Sequence, residues 1–84
     1  MRYQITLKKN VLKTLEKLNE PQYTNLKTAI YALGDNPRPN GYKKLKNRDG
    51  YRIRVGDYRI IYEIFDRVLL IDVIDIGHRK DIYG

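Results

Sequence analysis

Residues 50–62 read GYRIRVGDYRIIY, and this stretch decides the fold. Apolar and cationic side chains alternate along it with the period of two that a strand requires. Tyr51, Ile53 and Val55 fall on one side; Arg52 and Arg54 fall on the other. Gly56-Asp57 then offers a two-residue loop, and glycine in the first position suits a type II′ hairpin. The alternation resumes with Tyr58, Ile60 and Tyr62 against Arg59 and Ile61. That turn sets the pairing: Val55 faces Tyr58, Arg54 faces Arg59, Ile53 faces Ile60 and Arg52 faces Ile61. The apolar set lies on one face without a mismatch, which supports the register. The other face gathers Arg52, Arg54 and Arg59. Like charges directly across a hairpin destabilise it, and no acid in the cluster relieves them. A strand that needed only solubility would oppose arginine with a carboxylate. Three guanidinium forks together favour an anion site, and phosphate fits the fork.

Working outward towards the N-terminus, Tyr3, Ile5 and Leu7 alternate over residues 2–7, a short first strand. Thr6 or a neighbour is placed to cap the helix after it. Residues 8–18 carry Val11, Leu12, Leu15 and Leu18 at helical spacing, with Lys9, Lys13, Glu16 and Lys17 outside. Asn19-Glu20-Pro21 ends that helix and begins a second, which runs to about Leu33 with Tyr23, Leu26, Ile30 and Leu33 inward. Gly34 suits a left-handed stop. These aliphatic stripes are core. Residues 35–41, DNPRPNG, form a loop, a connector with the composition of a hinge. Residues 42–46 make a short lysine-rich edge strand.

Beyond the hairpin, Asp66-Arg67 is the next turn and residues 68–76 the last and most apolar strand. With a two-residue loop, Ile64 faces Leu69, Tyr62 faces Ile71 and Ile60 faces Val73. The fold class is α+β: an N-terminal strand, a two-helix hairpin, then an antiparallel sheet meander with the helices packed on one face. The opposite face then presents Arg52, Arg54, Arg59, Ile61, Glu63, Leu70, Asp72 and Ile74. The terminal GHRKDIYG, residues 77–84, leaves the last strand beside it.

Composition bounds the rest. Eighty-four residues make one domain, 1–84. A chain of this size buries about 60–65% of its unfolded surface, so its stability is modest. There is no cysteine and one histidine, which argues against disulfides and against a zinc site. No run approaches membrane-spanning length and no signal peptide opens the chain, so a soluble, cytoplasmic protein with no membrane partner is expected. Seventeen Lys and Arg stand against ten Asp and Glu, a formal charge of +7. Residues 38–59 hold eight bases and two acids, nearly the whole excess. So concentrated a patch is the footprint of a polyanion binder. Nucleic acid is the favoured partner, and an acidic protein would be drawn to the same surface.

Strand, helical hairpin, basic strand, YRIRVGDYRIIYE and the terminal GHRKDIY together resemble the RelE branch of the RelE/ParE toxin superfamily, over essentially the whole chain. The resemblance implies the toxin of a type II toxin–antitoxin system. It implies an endoribonuclease, needing no metal and no cofactor, that cuts messenger RNA in the ribosomal A site and so inhibits translation. It also implies a cognate acidic, RelB-like antitoxin. The family's basic pair falls on Arg52 and Arg54, where the best-known members have lysines. Its next-strand arginine falls on Arg59, the arginine after the last strand on Arg79, and the C-terminal tyrosine on Tyr83. YoeB-type members use a glutamate ahead of the basic strand; this chain has Lys43-Lys44 there. ParE-type members act on DNA gyrase and usually lack the full basic-plus-tyrosine set, which is complete here and tips the balance to RNA cleavage. Gyrase inhibition and non-catalytic RNA binding remain the alternatives.

The family reaction is attack of a ribose 2′-OH on the adjacent phosphate, leaving a 2′,3′-cyclic phosphate and a 5′-OH. The phosphorane carries extra negative charge, which preorganised arginines stabilise. Arg59 and Arg79 are expected to hold the scissile phosphate. Arg52 and Arg54 keep their protons and make poor bases. Tyr83, whose phenolate the arginines favour, leads as base; His78, acid or base, and Glu63 are the alternatives. Lys43, Lys44, Lys46 and Arg48 are expected to dock ribosomal RNA through its phosphates.

Overall fold

A computed structural model describes residues 2–78 of the chain. Among these, the elements run β1 (Gln4–Leu7), α1 (Lys9–Lys17), α2 (Gln22–Leu33), β2 (Lys43–Lys44), β3 (Tyr51–Val55), β4 (Tyr58–Phe65) and β5 (Leu70–His78). The helical stripes do what their spacing dictates. Val11 and Leu15 of α1 and Leu26, Ile30 and Leu33 of α2 are buried against Ile53, Ile60, Tyr62, Ile71, Val73 and Ile76 of the sheet. Both helices therefore cover one face, and the α+β reading holds.

The helix ends are built differently from the sequence expectation. Thr6 does not cap α1. Its hydroxyl donates to Asp72 Oδ1 at 3.0 Å and stitches β1 to β5. The first turn of α2 is served by Glu20, whose carboxylate accepts the Thr24 N–H at 3.0 Å and the Thr24 hydroxyl at 2.6 Å. Those bonds hold the Glu20 carboxyl below its usual range, and a negative charge suits a helix N-terminus. At the other end Gly34 is right-handed, with φ −63°, rather than a left-handed stop. An added Cβ would lie 2.9 Å from Arg2 Cζ, so a larger residue there would push the Arg2 side chain aside. The Arg2 guanidinium donates to the Tyr31 carbonyl at 3.0 Å and to Asp35 at 2.8 Å, so a residue from before β1 closes the end of α2.

The strand order is β1-β5-β4-β3-β2. β1 lies parallel to β5, so the sheet is mixed and the meander is antiparallel only from β2 through β5. The central hairpin has the register read from the sequence, Val55 with Tyr58 through Arg52 with Ile61, and Gly56 takes φ +60° in its turn.

The β4–β5 connection is a correction. Asp66–Val68 form a 3₁₀ turn and Leu69 adopts a left-handed φ of +53°, so four residues close the loop instead of two. Ile64 therefore pairs with Ile71 and Tyr62 with Val73, not with Leu69 and Ile71. A shift of two residues keeps the same side chains inward, so the apolar alternation cannot sense it. A bulge between Ile61 and Tyr62 then adds a further step, and Ile60 pairs with Ile76 rather than Val73. The last strand spans Leu70–His78 rather than residues 68–76.

The loop 35–41 is a connector, and it is tied down. The Tyr62 hydroxyl, in the core, donates to the Pro37 carbonyl at 2.7 Å. Arg38 grips Asp66 at 2.9 Å, and Tyr3 donates to the same carboxylate at 2.5 Å.

Candidate functional site

The face of the sheet away from the helices is assembled in rows across the strands. One row runs Arg54, Arg59, Gly77; the next runs Lys43, Arg52, Ile61, Asp75. Directly paired residues point the same way, so Lys43, Arg52, Arg54 and Arg59 share one surface. β3 and β4 hold these guanidinium groups in place because their alternate residues, Ile53, Ile60 and Tyr62, are locked in the core. The β5 position facing Arg59 is Gly77, which has no side chain to fill the space. In the row beyond Ile61, Glu63 faces Asp72, which pairs with Lys8 at 3.1 Å.

Ile61 is 6% exposed although it belongs to this face and lies outside the core cluster. The face therefore has an apolar floor at its centre, flanked by cations. Cations on a water-poor floor act on an anion more strongly than the same cations in bulk water.

The bulge decides two placements that alternation alone misses. Val73 and Ile76 are both buried, so the two residues between them, Ile74 and Asp75, both turn away from the core. Asp75 thus joins the arginine face beside Ile61, where alternation would turn it inward. Asn10 Nδ2 donates to its Oδ1 at 3.1 Å and to the Ile74 carbonyl at 3.0 Å, so α1 holds the bulge and its carboxylate. No residue type in IDVIDIG marks a bulge, so Asp75 has no sequence signal. The same step turns His78 to the other face. It pairs with Tyr58, and the two rings meet edge-on at 5.3 Å. Tyr58 packs against the core, so His78 stands on the helix side, away from Arg52, Arg54 and Arg59.

The four expected docking cations do not form one group. Lys43 lies with the arginines, whereas Lys44 pairs with Tyr51 and its Nζ sits 5.9 Å from that ring's centroid on the other side. Lys46 and Arg48 are in the connection to β3. Arg79 and Tyr83 lie outside the described residues. Among the described residues no three acidic or histidine side chains gather as a metal site. A groove of about 650 Å³ runs between β1, α1 and α2, lined by Leu7, Leu12 and Ile30 among others. It is remote from Arg52, Arg54 and Arg59; a second hollow of about 580 Å³ is lined by Lys43, Arg52 and Arg54 among others.

Residues 5–83 match the family described as the ParE toxin of type II toxin–antitoxin systems. A protein of Escherichia coli named as a RelE-like toxin is 30% identical over 88 aligned positions, covering 100% of this chain and 93% of that one. A toxin of Methanocaldococcus jannaschii named for RelE is 34% identical, over 84% of this chain and 86% of its own. Among solved structures, the RelE–RelB complex of Pyrococcus horikoshii superposes with a TM-score of 0.84 at 29% identity, covering 94% of this chain and 97% of that one. The Escherichia coli RelBE toxin–antitoxin complex superposes with a TM-score of 0.77 at 26% identity, covering 90% and 95%.

Proposed function

The chain belongs to the ParE-toxin family of type II toxin–antitoxin systems, and we propose that it acts as a RelE-type toxin, an endoribonuclease that cuts messenger RNA on the ribosome. The observation that carries this reading is the row that sets Arg54 directly across from Arg59, one step from Arg52. Two like charges so placed repel. A phosphate passing to a dianionic phosphorane would relieve that repulsion, and relieve it most in the transition state.

In this mechanism Arg59 and Arg79 hold the scissile phosphate, and Arg52 and Arg54 add positive potential around the attacking and leaving oxygens. Tyr83 takes the 2′-OH proton as that oxygen attacks phosphorus. The bond to the 5′ oxygen breaks and that oxygen takes a proton from water, leaving a 2′,3′-cyclic phosphate and a 5′-OH. Glu63 is the second candidate for the base, since it shares the face. His78 faces the other way and has no part in the step. The Ile61 floor and Gly77 shape a shallow surface with room for a backbone, which suits a substrate that the ribosome positions. A ribosomal target puts the work in the cytoplasm. No described helix is long and apolar enough to cross a membrane. The partner is a RelB-like antitoxin whose acidic segment offsets the charge of residues 38–59.

The test is message cleavage on purified ribosomes, mapped by primer extension, beside a DNA supercoiling assay with gyrase. Wild type is expected to cut the message. Arg59→Ala is expected to lose about 10²–10³-fold in rate, as when one donor to a developing oxyanion is removed, while melting at the wild-type temperature. Intact message together with inhibited gyrase would replace this reading with the ParE-type one, which the family's name keeps open.

A further inference from the structure

The mechanism leaves one cluster of the molecule unused. Tyr42, Tyr51 and Tyr62 form a ladder of rings on the side of the sheet opposite the arginines. Tyr62 is fully buried and anchored by its bond to Pro37. Tyr51 lies 6.0 Å from it and Tyr42 lies 5.9 Å further out, at the β2 edge, where it is 36% exposed. The Tyr42 backbone is fixed by its N–H bond to the Pro39 carbonyl at 3.0 Å. Arg38 and Lys44 stand over the Tyr51 ring, each at 5.9 Å. Around the outer ring, residues 42–48 hold Lys43, Lys44, Lys46 and Arg48 and no acid, and all four cations are exposed.

A single exposed tyrosine is ordinary. This one packs on Tyr51, which packs in turn on the buried Tyr62, so its ring is partly ordered before any ligand arrives and less entropy is lost on stacking. An aromatic platform beside a run of lysines is the arrangement that takes unpaired nucleotides: the ring stacks the base and the lysines take the flanking phosphates. The chemistry suits RNA better than an acidic peptide, because a carboxylate has no use for the ring face.

We propose that Tyr42 is a stacking platform for an unpaired base of ribosomal RNA, with Lys44 and Lys46 on its phosphates, docking the toxin by the β2 edge while Lys43 and the arginines face the message. This rests on the ribosome-directed reading above and adds a second RNA contact on the reverse side of the sheet.

The experiment is equilibrium binding to purified ribosomes carrying a short message, repeated over a range of potassium chloride concentrations. Tyr42→Leu is expected to bind at least about fivefold more weakly, the lower end of a base–aromatic stack, with an unchanged salt slope. Tyr42→Phe and Tyr42→Trp should bind like wild type, since stacking needs the ring and not the hydroxyl. Lys44→Gln and Lys46→Gln should each reduce the salt slope by about one. A photo-crosslinking residue placed at position 42 should label RNA. Tyr42→Leu binding as tightly as wild type, Tyr42→Phe losing as much as Tyr42→Leu, or labelling of a ribosomal protein would each overturn the platform. The two readings fail separately. If wild type cuts the message and Tyr42→Leu is indistinguishable in binding, the platform alone falls. If wild type neither binds ribosomes nor cuts, the functional reading falls and the platform goes with it.

Discussion

Arg54 and Arg59 face each other across a hairpin whose register is visible in thirteen residues, GYRIRVGDYRIIY. Alternation is enough to place them because one face of each strand is forced into the core. The same logic fails four positions before the end of β5, where one inserted residue reverses the faces. Alternation therefore puts His78 near the arginines when it stands opposite, and Asp75 arrives among them unannounced. His78, the one histidine of the chain, is turned away from the arginines. Replacing Tyr83 by Phe is expected to slow single-turnover cleavage by roughly 10²-fold or more, the range of a lost general base, and to leave ribosome binding nearly unchanged. A wild-type rate would pass the role to Glu63, and Glu63→Gln would then slow cleavage in the same assay.

Elements show the same division between what periodicity specifies and what it leaves free. Both helices and the paired strands follow from their apolar spacing, while the caps and the β4–β5 turn depend on distant partners. Arg2 ends α2, and Asp66 in that turn is held by Arg38 from the loop and by Tyr3 from before β1. No local rule connects those residues. The loop's anchor can be tested directly. Burial pushes the Tyr62 hydroxyl up to about 12, so it remains a donor to Pro37 at any working pH. Tyr62→Phe leaves a buried carbonyl without that donor, and about 1–3 kcal/mol of stability is expected to be lost in urea unfolding. Asp66 gives a pH signature. Arg38 first, and Tyr3 second, hold its carboxyl below the usual range. The unfolded chain therefore binds the proton more readily, and the stability from this pair is present above the ordinary carboxylate range and lost as pH falls through it. Asp66→Asn is expected to flatten the acid limb of the melting temperature plotted against pH, with the two proteins converging at low pH.

At the scale of the whole molecule, fold class was legible because one hairpin, two stripes and one apolar strand leave few ways to bury their faces. The position of β1 was not, since a strand of four residues carries no sign of its neighbour. It pairs with β5, Gln4 beside Leu70 and Leu7 beside Val73, so the first strand waits for the last. Contacts that close a loop of nearly the full chain form late in folding. Ile5→Ala, which removes a half-buried side chain beside Ile71, is expected to accelerate unfolding and leave the folding rate almost unchanged in a chevron plot.

That pairing has a consequence for how the protein is made. β1 leaves the ribosome well ahead of β5 and has no hydrogen-bonded neighbour until β5 emerges. β5 also carries Gly77 and Asp75, which complete the two rows of the arginine face. A nascent chain is thus an unfinished toxin until that strand has been made. Closure of the sheet and completion of the arginine face are a single event.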